Sequence, residues 1–214
     1  MSYSSLVKAS GISAIGAGVM IILARVLQVA LFGDLPLSAH GADPRFVLWV
    51  GMPGLIGSIL FLLGITGLYA VQAPRAGKLG FVAFLLAFLG MSLALGGNWA
   101  YAFGSPYLAS TAPSILDANF GSPEWGVFGA GFIYSYLTGG VGYLVFAASV
   151  TLARVVPLWI GLVMLLSMLS AAVLPVGTVG APAILLNVLM GVGPILFGIW
   201  LWRTGRKITK DAGG

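Results

Sequence analysis

Leu79–Ala102 reads LGFVAFLLAFLGMSLALGGNWAYA and contains no charged residue. Its apolar side chains run on without the alternation, period two, that marks a strand with one wet face. About 20 residues of this kind, wound as a helix, cross the roughly 30 Å hydrocarbon core of a bilayer. In that medium a backbone N–H or C=O has no water to turn to. It must pair within its own segment, so the run is expected to be helical.

Five other stretches have the same character: Ile12–Phe32, Phe46–Ala70, Val127–Ala153, Pro157–Leu174 and Ala181–Trp202. Together the six account for most of the 214 residues. Hydrophobic residues make up 59% of the chain and charged residues 7%. A soluble domain carries about 25% charged residues, so this chain lacks the polar surface a water-soluble body needs. The expected fold is an all-α integral membrane protein, a bundle of six transmembrane helices with cytoplasmic N- and C-termini. It forms a single domain over residues 1–214, with extracytoplasmic loops 33–45 and 103–126 and a basic cytoplasmic tail, 203–214. The first run exceeds the 7–15-residue core of a secretory signal, and Arg25 interrupts it, so it is expected to be a retained helix.

The basic residues set the orientation, because lysine and arginine gather on the cytoplasmic side. With the N-terminus inside, the inner segments hold Lys8, Arg75, Lys78, Arg154, Arg203, Arg206, Lys207 and Lys210, while the outer loops hold only Arg45. Asp34, Asp43, Asp117 and Glu124 then fall outside. The net charge of +5 is thus a topology signal and a contact for anionic lipid; no nucleic-acid partner is expected. The expected location is a bacterial cytoplasmic (inner) membrane. Trp49, Trp99, Tyr101 and Trp125 fall at the outer interface and Tyr69, Trp159, Trp200 and Trp202 at the inner one. There an apolar ring sits in lipid while its polar atom reaches water. Gly57–Gly97 and Gly142–Gly177 share a spacing of glycine-led helix, basic turn with proline and returning helix, which suggests a duplication or simply two apolar hairpins.

Several chemistries are disfavoured. There is no cysteine and one histidine, His40, so thiolate metal sites, iron–sulfur clusters and bis-histidine haem are excluded. No cofactor or metal is expected. No acid lies inside a span, which disfavours proton-coupled transport. His40 and Asp43 lie three residues apart in an outer loop and make at most a weak acid–base element; a solvated histidine is the expected outcome. No catalytic motif is present, and the chain is not expected to be an enzyme.

The polar residues within the spans carry what remains. Arg25 lies outward of the middle of the first helix, where an unpartnered guanidinium costs several kcal/mol. Gln28 shares its face at i+3. Asn98, Asn187, Tyr134 and Tyr136 fall in the outer halves of their helices. These six are the candidate ligand-binding residues, lining an outward-facing polar pocket beneath the two loops, with Ser114–Asn119 as a short helix in the second. The competing expectation is that Arg25 pairs with Asp34, Asp43 or Asp117, and that the asparagines join helices.

Glycine numbers 32. Gly51, Gly54 and Gly57, the pair Ala14 and Gly18, and the pair Gly139 and Gly142 place small residues on common faces, for packing within the bundle or against another membrane subunit. Pro53 and Pro194 are expected to bend their helices. Two functions follow. The first is a non-catalytic accessory or assembly subunit in a larger membrane complex or homo-oligomer. The second is a binding protein or facilitator for a small amphiphile, anion or lipid around Arg25.

Overall fold

The computed structural model describes residues 2–33, 35–118, 122–173 and 181–211. These are helical almost throughout, and no strand occurs among them. Helix α1 is Tyr3–Phe32, α2 Leu37–Ala42 and α3 Pro44–Phe46; a π-helical turn, Val47–Gly51, leads into α4, Met52–Thr111. Then come α5 (Pro113–Asp117), a single 3₁₀ turn (Pro123–Trp125), α6 (Gly126–Leu152), α7 (Leu158–Val173) and α8 (Ala181–Asp211). Four helices among the described residues are long and apolar enough to cross a membrane: Tyr3–Phe32, Pro44–Thr111, Gly129–Leu152 and Val188–Ile208. The apolar helix Leu158–Leu169 is shorter.

The expected second and third helices are the two limbs of α4, and the basic turn between them breaks the helix at Gly77. A straight helix of 60 residues would extend about 90 Å at 1.5 Å per residue, three times the hydrocarbon thickness. It is not straight. Gly77 has φ 55° and ψ −151°, a conformation that costs any residue with a Cβ dearly, and there α4 folds back on itself. The limbs meet at Tyr69 and Phe84, stacked with centroids 4.2 Å apart. They meet again where Asn98 donates to Ser58 at 2.8 Å. Near the open end, a Cβ at Gly51 would lie 2.8 Å from that of Ala102.

Glycine also sets the other helix contacts. Along α1 and α8, Gly11 and Gly18 face Gly198 and Gly191, each backbone against the other. Gly205 lies on Lys8 and Ser4. The seven-residue spacing on both helices keeps one seam in contact along two antiparallel rods. Gly90 lies on the Thr138 carbonyl of α6, and Gly142 on Leu86 and Ala87 of α4. The three glycines after the π turn divide their work: Gly51 packs on Ala102, Gly57 on α1, and Gly54 between them faces open space.

One end of the bundle is basic. There Tyr3 donates to the Ala70 carbonyl, Lys8 lies against Gly205, and Arg206 covers the Trp202 ring. At the other end lie α2, α3 and α5 with Asp43, Asp117 and Glu124. Between the ends, Leu63, Leu85, Leu89, Leu93, Leu162 and Leu166 are exposed around the sides. An apolar girdle of that extent is not tolerated in water.

Several expected boundaries shift. Helix α1 begins at Tyr3 rather than near Ile12, and α8 carries the basic tail as helix to Asp211. The expected loop 103–126 is largely helical, since α4 runs to Thr111 and α5 covers Pro113–Asp117. Pro106 lies inside α4, and at that site hydropathy gave no sign of continued helix. Trp125, expected at the interface, is buried. Asn119 and the 174–177 portion of the second repeat unit lie outside the described residues.

Gly77→Ala is expected to lower stability by about 1–3 kcal/mol through backbone strain alone, seen as a drop in Tm in detergent. Gly18→Leu, whose side chain would meet the Gly191 carbonyl, is expected to abolish the folded monomer. Gly54→Leu, with nothing within 4 Å of its Cβ, should fold. Equal Tm for the three variants would contradict this packing.

Candidate functional site

A cavity of about 160 Å³ lies among α1, α4, α6, α7 and α8. The π-helical turn shapes one wall: Val50 and Gly51 line it, followed one helical turn on by Gly54. Such turns widen a helix locally and occur often at functional sites. Ile21, Phe61, Met91, Met168, Met190 and Pro194 supply apolar walls. Pro194 lies inside α8.

Two hydrogen-bond chains border the space. In the first, Arg25 Nη1 donates to Gln28 Oε1 at 3.0 Å, and Gln28 Nε2 donates to the Tyr101 hydroxyl at 3.1 Å. Residues 25 and 28 sit on adjacent turns of one face, so the amide bridges α1 to α4 and fixes both donors. In the second chain, Tyr136 donates to Asn98 Oδ1 at 3.2 Å, Asn98 Nδ2 to Ser58 at 2.8 Å, and Ser58 to the Gly54 carbonyl at 2.9 Å. Arg25, Tyr101, Tyr136, Asn98 and Ser58 all line the cavity, and the guanidinium is within electrostatic reach of both tyrosines. Tyr143 and Ser167 also line the cavity, the buried Tyr143 hydroxyl beside the Ser167 side chain.

The acids expected as alternatives for Arg25 are engaged elsewhere. Asp43 forms a 2.7 Å salt bridge with Arg45, which holds its carboxyl below the usual range. Asp117 accepts from the Ser38 backbone N–H at 2.9 Å and the Ser38 hydroxyl at 2.6 Å. That bond caps the first turn of α2 from α5 and ties the two outer segments together. Asp34 lies outside the described residues. Among the described residues no acid forms a salt bridge with Arg25.

Of the six expected site residues, three line the cavity: Arg25, Asn98 and Tyr136. Gln28 stands behind Arg25 and orients it. Tyr134 is a correction: its side chain is 69% exposed, because two residues along a helix turn it about 200° from Tyr136. The side chain of Asn187 lies outside the described residues. Sequence reasoning missed Tyr101, Ser58 and Tyr143. The signals were present: Tyr101 is i+3 from Asn98, Ser58 i+4 from Gly54, and Tyr143 i+7 from Tyr136, each on the cavity face of its helix.

His40 is a second correction. It is not solvated but 4% exposed. Phe32 lies 4.9 Å from its ring centroid and Phe46 lies 6.4 Å away. Phe46 meets Tyr101 edge-on at 5.2 Å, so the cap rests on the tyrosine that closes the first chain. Burial pushes the His40 pKa below the ordinary 6.5, with the Leu35 carbonyl and Asp117 pulling the other way. Asp43, bonded to Arg45, is not its acid partner.

Comparisons of the chain with protein-family models, curated proteins and solved structures find no match.

The His40 shift has a definite sign. The folded cap holds the neutral ring, whereas the unfolded segment takes up a proton as pH falls past 6.5. The cap is therefore at full stability above that pH and loses it below. Hydrogen exchange in residues 37–46 is expected to accelerate between pH 7 and pH 5, after correction for intrinsic rates. His40→Phe, which keeps the aromatic cluster, should make those rates independent of pH.

Proposed function

We propose that this chain is a non-catalytic membrane protein that binds, or facilitates passage of, a small anionic amphiphile at the Arg25 cavity. The observation that carries it is a guanidinium at a cavity wall with no acidic side chain bonded to it among the described residues. Inside an apolar bundle an uncompensated cation is costly, and an anionic ligand supplies the missing charge. The methionines suit this role, since flexible thioether chains adapt to apolar bodies of different shape.

The reading includes six passes, with both termini in the cytoplasm of a bacterial inner membrane. It is supported by the fold-back of α4 at Gly77, which suits two passes by that element, and by the apolar α7. The basic residues cluster at one end of the bundle, as cytoplasmic ends do. The cavity then opens on the outer side, beneath the segments joined by Asp117 and Ser38.

An accessory subunit in a larger membrane complex or homo-oligomer is the second reading. It draws on small residues still open at the surface, Gly96 and Gly131, with nothing within 4 Å of a Cβ built there. It ranks behind because Gly11, Gly18, Gly90, Gly142, Gly191 and Gly198 are covered by this chain's own helices.

The absence of cysteine allows a clean topology test. Ser38→Cys is expected to react with a membrane-impermeant maleimide on intact cells, and Ala76→Cys only after lysis; the reverse pattern would overturn the orientation. For the site, anionic amphiphiles at about 100 times Kd should stabilise the wild type by about 2.7 kcal/mol. Arg25→Met should fold but show no such shift, and Arg25→Lys should retain part of it. A shift of equal size in Arg25→Met would place the binding elsewhere.

A further inference from the structure

Resting on the anion-binding reading of the Arg25 cavity, we infer that its ligand head is a single carboxylate. The carboxylate is held by Arg25 and the Tyr101 hydroxyl together, with an apolar body about the size of one ring.

The donor inventory points there. Gln28 uses its oxygen on Arg25 and its N–H on Tyr101. Tyr101 is therefore an acceptor in its one side-chain bond among the described residues, and its own O–H is left to donate. Arg25 commits one N–H to Gln28 and has four others. A guanidinium and a hydroxyl braced by one amide present two donors for the two oxygens of a carboxylate. Across the cavity, Tyr136 has given its proton to Asn98 and offers only lone pairs, and Asn98 has one N–H unspent. That side suits a neutral polar group and repels extra negative charge.

Charge then discriminates between heads. One cation faces the cavity among its lining residues. A carboxylate balances it. A phosphate monoester at neutral pH brings about −1.5 to −2 charges and leaves the excess among methionine, phenylalanine and glycine walls, which is unfavourable. A neutral alcohol leaves the guanidinium without a counter-charge. The space of about 160 Å³ compares with the roughly 150 Å³ that accepts benzene in an apolar cavity. Whether the acid arrives from water or from the bilayer, the chemistry at the head is the same.

The test is calorimetric titration of the full chain in nanodiscs with benzoate, phenyl phosphate and benzyl alcohol, bodies alike and heads different. Oleate and oleyl phosphate repeat the comparison for an acid arriving from lipid. In at least one series the carboxylate is expected to bind tenfold or more tightly than its phosphate, and benzoate likewise than benzyl alcohol if it is the benzoate series that binds. Tyr101→Phe, which keeps the ring against Phe46, should weaken the carboxylate about fivefold to tenfold. Gly54→Leu, which fills the cavity without touching a donor, should abolish binding while Tm is maintained. Phosphate binding as tight as carboxylate in every series that binds, or an unchanged affinity in Tyr101→Phe, would overturn the carboxylate assignment and leave the Arg25 anion site standing. Unchanged affinity in Gly54→Leu, or no binding of any anion to the wild type, would overturn the cavity reading and this inference with it.

Discussion

A guanidinium among apolar helices has to be compensated, and the arrangement around Arg25 follows from that constraint. Charge in a low-dielectric interior is tolerated only with hydrogen bonds and a counter-charge. Gln28 supplies one hydrogen bond and passes its other end to Tyr101. Tyr101 in turn supports the Phe46 and His40 cluster beneath the cap. The counter-charge is not drawn from Asp43 or Asp117, because one holds Arg45 and the other caps α2. On the proposed reading, a cation left without an acidic partner among the described residues takes its counter-charge from a bound anion.

The scaffold keeps that cavity open through backbone contact. Where α1 meets α8, and where α4 meets α6, glycines bring helix backbones together without intervening side chains. Such contacts gain dispersion and weak polar interactions that lipid cannot supply. The same residue type makes room as well as closing it. Gly51 and Gly57 close on their neighbours, and Gly54 between them leaves the gap. The π-helical turn and Pro194 both line the cavity, so two local irregularities meet there.

Much of the fold was legible because hydropathy reports the solvent directly. The apolar runs, their helical character and the segregation of basic residues all come from composition along the chain. Residues 70–78 read as a turn, with Pro74, Arg75, Gly77 and Lys78, and Gly77 leaves helical geometry there, separating the two limbs of α4. The helix to Thr111 was missed because polar residues and Pro106 resemble a loop in one dimension. At the site, Arg25 and Gln28 stood out as polar residues at helical spacing in an apolar run. Tyr101 did not, since a tyrosine near a helix end reads as an interfacial anchor, and only the tertiary fold turns it inward. Tyr134 was included on proximity in sequence, where helical angle should have excluded it. His40 was assigned to water because its burial depends on α2 folding over Phe32 and Phe46, a long-range contact that no local pattern reports.

The most direct measurement is native mass spectrometry of the protein released gently from its own membrane, with Arg25→Met prepared in parallel. The account predicts one small acidic molecule on the wild-type chain, absent from the variant, with both chains folded. A wild-type chain that carries no acidic molecule, or a variant that retains the same one, would contradict it.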